Sequence, residues 1–300
     1  MIYTLTMNPS IDYVMEMEEL TVGKMNRSDT TYVLPGGKGI NVSTVLNHLQ
    51  VANIAILPVS GFTGEKLLAM LSERGISYEA LNLSEGNTRI NVKVLCQAET
   101  ELNAKGPDLN AGEEEQLFDK LQALKKGDYL VLSGSVPANL GNRFYAKIME
   151  KLKDKELKIV LDTTGEQFLN ALKYKPFLVK PNKEELEEIT GKKGDTKEDV
   201  SDMAKTVQAM GARNVLVSMG SEGGLLLTEK GQTFYKKAPN GQVINTVGAG
   251  DSMVAGFLAG YLESENMEKA FYRGIAAGSA SAFSKNLATK EEIDALTEIL

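Results

Sequence analysis

The chain of 300 residues contains only one cysteine, Cys96, and one histidine, His48. One cysteine cannot form an intramolecular disulfide, and the two residues cannot build a cysteine- or histidine-rich metal centre. A Ser-His-Asp triad would have to use His48, which falls in a helix predicted over 42–50 and is interpreted as structural. General base chemistry therefore falls to a carboxylate, with lysine as the second choice.

Long apolar runs and an excess of positive charge are also missing. No segment approaches the ~18 apolar residues of a membrane span. The net charge of −7 argues against nucleic acids or anionic membranes as partners, although a local basic pocket for a small phosphate is compatible with it. Residues 1–4 run directly into a predicted strand without a secretory signal, so we expect a cytoplasmic protein.

Strand-like and helix-like segments alternate along most of the chain. Continuous apolar runs predict strands at 54–59, 129–133, 158–162, 177–180 and 214–219. Amphipathic patterns predict helices at 65–74, 113–125, 143–152, 197–210, 271–283 and 291–300, and a further helix directly after Asp251. This order predicts an α/β fold in which helices cover both faces of a mostly parallel sheet.

Two regions interrupt the alternation and predict a second, smaller sheet. Residues 12–17 and 26–34 interleave β-forming and polar residues with no helix between them. Residues 89–96 alternate apolar with polar except at Leu95, and 99–103 can pair back across a short turn. We therefore expect one domain over 1–300, with an antiparallel lid sheet drawn from about 12–34 and 88–104 beside a cleft.

The most informative motif is Thr246-Val247-Gly248-Ala249-Gly250-Asp251, which an apolar helical pattern follows at once. Free amide groups and the positive dipole end gather where a helix begins, and both attract an anion. Asp251 would stand beside that anion, where it can take a proton from a hydroxyl that attacks a phosphate. The alternative is an ordinary tight turn in which Asp251 stabilises the helix N-terminus.

A second glycine-rich helix start is Pro35-Gly36-Gly37-Lys38-Gly39-Ile40-Asn41. Its glycines let the backbone approach a ligand closely, and Lys38 adds a positive charge. The spacing is not that of a P-loop, and no other segment supplies that pattern. A flexible connector is the alternative. Two such helix starts in one chain predict two phosphate sites, as a transfer between phosphorylated molecules requires.

Further polar residues stand near the ends of predicted strands. Asp12, in Asn8-Pro9-Ser10-Ile11-Asp12, can bind sugar hydroxyls or belong to an Asx turn. Arg89 can offer a planar fork to a phosphate or be an ordinary exposed arginine, and the turn containing Ser135 is equally compatible with a plain βα connection. Asn182 and Glu185 stand three residues apart and can face one metal-bound water network.

In this order, the motifs closely resemble those of the ribokinase-like, PfkB-type carbohydrate kinases over essentially the whole chain. Residues 36–41 resemble the first signature of the family and 246–251 the second. Asn8-Pro9, Thr88-Arg89-Ile90-Asn91-Val92-Lys93 and Lys180-Pro181-Asn182 are typical of its phosphosugar branch. The resemblance implies a three-layer ribokinase-like sandwich with a small β-sheet lid.

The resemblance also implies an activity, which is transfer of the ATP γ-phosphoryl group to a hydroxyl of a phosphorylated ketohexose, with Mg²⁺. Residues 88–93 favour fructose 1-phosphate as the substrate, giving fructose 1,6-bisphosphate and ADP. Tagatose 6-phosphate and fructose 6-phosphate are alternatives. A non-catalytic sugar-phosphate sensor and a kinase for an unphosphorylated sugar or nucleoside are rivals from other classes.

The resemblance finally implies the site residues and an assembly. The expected catalytic base is Asp251, with an amide nest at Gly248, Ala249 and Gly250. The expected substrate-binding residues are Asp12, Gly37 and Asn41 for the sugar, and Lys38, Arg89, Ser135 and Lys24 for its phosphate. The expected nucleotide-binding residues are Asn182, Glu185, Ser218, Gly220, Gly223 and Asn286, with Glu185 reaching Mg²⁺ through water. We also expect a homodimer that forms through the lid sheet.

Overall fold

A computed structural model describes residues 1–97 and 100–300. Within this part, the strands are β1 (Ile2–Thr6), β2 (Ser10–Glu16), β3 (Thr30–Gly36), β4 (Asn53–Val59), β5 (Tyr78–Asn82), β6 (Arg89–Leu95), β7 (Thr100–Leu102), β8 (Tyr129–Ser133), β9 (Lys158–Asp162), β10 (Leu178–Val179), β11 (Asn214–Ser218), β12 (Gly224–Leu227) and β13 (Thr233–Lys236). The α-helices are α1 (Lys38–His48), α2 (Gly61–Glu73), α3 (Ala111–Gln122), α4 (Phe144–Lys151), α5 (Gly165–Leu172), α6 (Lys183–Thr190), α7 (Lys197–Ala209), α8 (Ala249–Ser264), α9 (Met267–Ala282) and α10 (Lys290–Thr297).

The large sheet has the strand order β13-β12-β11-β10-β9-β8-β1-β4-β5. Neighbouring strands run parallel from β5 to β11, and only β12 and β13 are added antiparallel. This confirms the expected mostly parallel sheet. Because the carboxyl ends of parallel strands meet at one edge, the residues that follow β1, β8, β9, β10 and β11 gather there.

Two apolar clusters cover the two faces of the large sheet. Leu130 and Leu132 of β8 pack with the helices α3, α4, α5 and α7. Tyr129 and Val131 of the same strand pack with α1, α8, α9 and α10 on the other face. Successive side chains of a strand point to opposite faces, so a strand buried on both sides reads as a continuous apolar run. The molecule is therefore a three-layer sandwich, as expected.

The lid sheet consists of four strands in the order β3-β2-β6-β7. The outer pairs are antiparallel, but the central strands β2 and β6 run parallel. The expectation of a purely antiparallel lid sheet was therefore wrong. Both central strands leave the same edge of the large sheet in the same direction, whereas β3 and β7 run in the opposite direction.

Most predicted elements are present with bounds close to those expected, and the strands at 129–133 and 158–162 match fully. Sequence patterns did not reveal β5, the hairpin β12–β13, or the helices α5 and α6. These two helices have eight residues each, as do α4 and α10, which the sequence patterns did predict. Residue 99, the expected start of the returning lid strand, lies outside the described residues, and β7 begins at Thr100. None of the described helices is both long and apolar enough to cross a membrane.

Candidate active site

A cleft of about 440 Å³ lies between the lid sheet, α1 and the segments that precede α8 and α10. The lid sheet contributes Asp12 and Lys93, and α1 contributes Asn41 and His48. Asn286, from the segment that joins α9 to α10, lines the same cleft. His48 lies where the sequence predicted a helix, and its Nδ1 is 2.8 Å from the carbonyl oxygen of Ala288. Of the predicted site residues, Asp12, Asn41 and Asn286 therefore line this cleft.

The start of α8 is the segment that the sequence predicted to bind an anion. Gly248 caps the helix with a φ of 78°, a left-handed conformation that favours glycine. A Cβ at this position would stand 2.6 Å from Leu287, so the space also requires glycine. The amides of Gly250 and Asp251 have no backbone acceptor in the described part of the chain, whereas the amide of Ala249, which was expected in the nest, donates to the Thr246 carbonyl oxygen at 3.2 Å. Two free N–H groups at a helix N-terminus are suited to bind a phosphoryl oxygen.

Asp251 lies in the first turn of α8 and is only 5% exposed. Its Oδ2 accepts a hydrogen bond of 2.8 Å from the Asn41 amide of α1. Burial, followed by the negative charge of Asp162, raises the pKa of Asp251 to about 7, although Lys38, Asn41 and Lys180 act in the opposite direction. A carboxylate with a pKa near neutral pH is well matched to accept a proton in a general base step.

A buried charge cluster stands next to Asp251, and sequence reasoning singled out only one of its members. Asp162 ends β9 and is 1% exposed. Its Oδ1 lies 3.1 Å from the ammonium of Lys38 and 3.4 Å from that of Lys180. Burial opposes ionisation, but the two lysines hold the pKa of Asp162 below its usual value. Asp162 and Lys180 both stand at the carboxyl ends of predicted strands, which is the signal that could have found them.

Lys38 faces this cluster from the first turn of α1. Burial lowers the pKa of Lys38, but the charges of Asp162, Asp251 and Glu185 outweigh it and raise the pKa above its usual value. Lys38 therefore stays protonated while it is paired with Asp162 and half exposed to the cleft. Gly37, the N-cap of α1, has a φ of 124° and sits against Thr6 at the end of β1.

Asp12 lies on the face of the lid sheet that borders the cleft. Its Oδ1 accepts hydrogen bonds from the Ser10 hydroxyl at 2.7 Å and from the Asn91 amide at 3.0 Å. Its Oδ2 is 3.3 Å from the ammonium of Lys93. A Cβ at Gly36 would stand 2.4 Å from the Asp12 carboxylate, so the first glycine of the motif makes room for this group. The sequence predicted Asp12, but not the three side chains that hold it.

Arg89 and Ser135 come together around Asn8, at the end of β1. Arg89 donates to the Asn8 carbonyl oxygen at 2.9 Å and to the Ala104 carbonyl oxygen at 3.2 Å. The Asn8 side chain donates to the Ser135 hydroxyl at 3.2 Å. Lys24 is exposed in the connection between β2 and β3, and its side chain has no hydrogen bond or ion pair with the described residues.

Asn182 and Glu185 form the capping box of α6. The Asn182 side chain accepts from the Glu185 amide, and the Glu185 Oε2 accepts from the Asn182 amide. One carboxylate oxygen of Glu185, Oε1, has no hydrogen bond with the described residues, and the charge of Glu185 acts on Lys38. The backbone of Asn182 also bridges to Ser218 at the end of β11. Gly220 and Gly223 follow in the turn to β12, both with positive φ.

The fold and this site together define a kinase-like α/β protein, in which a small sheet covers a cleft and a buried carboxylate stands next to that cleft, in a helix start with free amides. The family model described as pfkB family carbohydrate kinase matches residues 5–294. The chain therefore belongs to the pfkB family of carbohydrate kinases.

Individual relatives are similar over their whole length. A 1-phosphofructokinase from Bacillus subtilis is 43% identical over 296 residues, which covers 99% of this chain and 97% of the relative. A D-tagatose-1-phosphate kinase from Bacillus licheniformis is 33% identical and covers 98% and 96%. The structure of phosphofructokinase-2 from Escherichia coli in complex with fructose-6-phosphate has a TM-score of 0.93 at 28% identity, covering 100% and 98%. These likenesses confirm the expected ribokinase-like fold.

Proposed function

We propose that the protein transfers the γ-phosphoryl group of ATP to a free hydroxyl of fructose 1-phosphate, giving fructose 1,6-bisphosphate and ADP. The observation that carries this proposal is the position of Asp251, a buried carboxylate with a pKa of about 7 beside two free helix-start amides. A protein that only bound a phosphosugar would have no use for a base at the anion site. The arrangement therefore favours transfer over sensing.

In the proposed mechanism, the chain positions the reactants and supplies a base. Asp251, oriented by the Asn41 amide, accepts the proton of the attacking hydroxyl. The amides of Gly250 and Asp251 and the ammonium groups of Lys38 and Lys180 stabilise negative charge on the phosphoryl group as it moves. Positioning and electrostatics of this kind supply most of the acceleration in phosphoryl transfer.

Glu185 and Asp162 fit a magnesium ion that is bound mainly through nucleotide phosphates and water. Glu185 has one carboxylate oxygen free, and the buried Oδ2 of Asp162 has no hydrogen-bond partner in the described residues. Hard carboxylate oxygens are the ligands that Mg²⁺ prefers, and kinases typically provide only one or two. Bound there with ATP, Mg²⁺ would neutralise phosphate charge. Asn182, Ser218, Gly220, Gly223 and Asn286 are proposed to contact the nucleotide.

The names of the relatives support a ketohexose that carries its phosphate at carbon 1. The Bacillus subtilis relative is a 1-phosphofructokinase, and the Bacillus licheniformis relative is a D-tagatose-1-phosphate kinase. D-tagatose 1-phosphate is therefore the second candidate substrate, in place of the tagatose 6-phosphate that the sequence motifs put forward. Lys38, Arg89, Ser135 and Lys24 are proposed to bind the substrate phosphate.

The test is a measurement of ADP release with fructose 1-phosphate, D-tagatose 1-phosphate, fructose 6-phosphate, tagatose 6-phosphate, ribose and adenosine. We expect the highest kcat/KM with fructose 1-phosphate. A higher kcat/KM with another phosphosugar would transfer the assignment to that compound, and highest activity with ribose or adenosine would contradict a phosphosugar kinase. Tight binding of a phosphosugar without any turnover would instead favour the sensor.

We also propose that the lid sheet mediates a homodimer. The face of the lid sheet that points away from the cleft exposes Tyr13, Ile90 and Leu102, with exposed fractions of 37%, 41% and 61%. Strand register places Tyr13, Val92 and Leu102 in one row, next to Ile90. A contiguous apolar face on a small sheet favours contact with another protein surface over contact with water.

A further inference from the structure

The cleft face of the lid sheet carries a row of polar residues around Asp12. In the strand register, Asp12 of β2 lies opposite Asn91 of β6, and Lys93 of β6 lies opposite Glu101 of β7. Alternate residues of a strand point to the same face, so Ser10, Asp12, Asn91, Lys93 and Glu101 share one face. Three strands of the lid sheet thus contribute to one polar network.

Both oxygens of the Asp12 carboxylate are restrained in this network. Oδ1 receives hydrogen bonds from Ser10 and Asn91, and Oδ2 faces the ammonium of Lys93. Asn91 is itself fixed, because it is 5% exposed and its Oδ1 accepts from the Ala104 amide at 3.2 Å. A carboxylate held by three donors cannot rotate freely, so its remaining lone pairs keep one direction.

The ammonium group of Lys93 forms ion pairs with two neighbouring carboxylates of the lid sheet. The side chains of Lys93 and Asp12 are 12% and 13% exposed. The Lys93 ammonium is also 3.2 Å from Oε1 of Glu101. Burial lowers the pKa of Lys93, but the charges of Asp12 and Glu101 outweigh it. The pKa of Lys93 therefore lies above its usual value, and Lys93 stays charged. Two carboxylates around one ammonium leave a net negative charge, which disfavours direct contact with a substrate phosphate.

We propose that Asn91 and Lys93 are positioning residues that determine affinity for the sugar by holding Asp12 in its binding orientation. This inference rests on the proposed function, in which Asp12 binds sugar hydroxyls. Neither residue touches the base or the anion site, so they act on sugar binding and not on phosphoryl transfer.

The test replaces each residue with an apolar one of similar shape, Lys93→Met and Asn91→Leu. We expect each to raise KM for fructose 1-phosphate about tenfold, since losing a hydrogen bond to a charged group typically has an effect of that order. The kcat value and KM for ATP should stay within about twofold, because pure binding interactions act on KM alone. Lys205→Met is the matched control, because it removes an exposed pair with Asp202 on α7.

A double-mutant cycle with Asp12→Asn separates positioning from direct contact with the substrate. If Lys93 acts through Asp12, Lys93→Met should have little further effect in the Asp12→Asn background. The cycle is measured by calorimetric binding of fructose 1-phosphate, so it does not depend on turnover. An undiminished effect of Lys93→Met in that background would overturn the inference and make Lys93 a ligand of the substrate itself.

Failure of this inference is distinguishable from failure of the proposed function. Binding of fructose 1-phosphate without turnover by the unaltered protein would overturn the proposed function alone, and the cycle would still decide the role of Lys93. Normal turnover with unchanged KM in Lys93→Met and Asn91→Leu would overturn only the positioning role. Absence of fructose 1-phosphate binding to the unaltered protein would overturn both.

Discussion

Asp12 lines the cleft and Asp251 is hydrogen-bonded to the cleft residue Asn41, but the surroundings of the two carboxyl groups differ in kind. Asp251 is buried beside the charge of Asp162, and Asn41 is the only side chain of the described residues that donates a hydrogen bond to it. Asp12 receives two hydrogen bonds and an ion pair from side chains of the lid sheet. The first environment opposes ionisation of the Asp251 carboxyl group, whereas the second restrains the orientation of the Asp12 carboxylate.

This difference assigns different tasks to two residues of the same type. A carboxylate that takes up a proton must be able to hold it, so burial and a neighbouring negative charge suit Asp251. A carboxylate that binds hydroxyl groups must point its lone pairs in one direction, so three donors suit Asp12. We therefore expect changes in the Asp251 cluster to alter kcat and its pH dependence, and changes in the lid network to alter KM.

Loss of the base should have the largest effect. Asp251→Asn removes the proton acceptor but keeps the hydrogen-bonding shape, so we expect kcat to fall by at least ~10²-fold. Folding and ATP affinity should be retained. The measurement is steady-state ADP release together with calorimetric titration of ATP. Asp202→Asn, an exposed aspartate on α7, is the control and should behave as the unaltered protein.

The same variant should be more stable than the unaltered protein above neutral pH. With its pKa raised to about 7, Asp251 holds a proton in the folded state that the unfolded state has released, so its contribution to stability is lost as pH rises from its unfolded pKa through about 7. We expect Asp251→Asn to raise Tm at pH 8 by about 2 °C or more. Near-normal turnover, or a lower Tm at that pH, would contradict the assignment of Asp251 as a buried base.

Sequence patterns predicted Asp251 and Asp12 but not the groups that make them different. A glycine-rich helix start and an aspartate after a strand are local signals, and local signals are visible in a sequence. Lys180, Asp162 and Lys38 meet across long sequence distances, because β9 and β10 end, and α1 begins, at the same edge of the sheet. No period or motif encodes such a contact. The parallel pairing of β2 with β6, which places Asn91 beside Asp12, is equally non-local.

The pH dependence of the reaction tests the charge cluster directly. In the unaltered protein, kcat/KM should rise with pH through about 7, because Asp251 must be ionised to act as base. Asp162→Asn removes a negative charge that raises the pKa of Asp251. We therefore expect the rise of kcat/KM to move to lower pH, by about one unit. The variant should also lose stability, by about 3–5 kcal/mol, because two lysines lose their buried partner.

Lys180→Met should shift the pH dependence of kcat/KM in the direction opposite to Asp162→Asn. It removes a positive charge that lowers the pKa of Asp251, so the rise of kcat/KM should move to higher pH. The pair is measured as pH profiles of kcat/KM for fructose 1-phosphate. If both variants shifted the rise of kcat/KM in the same direction, that rise would not reflect ionisation of Asp251 under the influence of the neighbouring charges.

Replacement of Arg89 should weaken phosphosugar binding without altering the chemistry. The guanidinium of Arg89 donates to two backbone carbonyl oxygens and has further N–H groups to offer to a phosphate. We expect Arg89→Ala to raise KM for fructose 1-phosphate about tenfold or more, and KM for ATP much less. Arg213→Ala is the control, because Arg213 pairs with the exposed Glu229 at the opposite edge of the sheet. Equal losses for both substrates would place Arg89 outside the phosphate site.

The smallest effect on catalysis is expected from the outer face of the lid sheet. Ile90 neighbours the cleft-facing Arg89 and Asn91 in sequence, yet it points away from the cleft, because strand side chains alternate between faces. Ile90→Lys places a charge in the proposed dimer contact, so we expect sedimentation velocity to show a shift from dimer to monomer. A change in kcat of less than about twofold would fit a role in association alone. Exposed Leu169→Lys, on α5, is the matched control, and a dimer that survives in Ile90→Lys would place the contact on another surface.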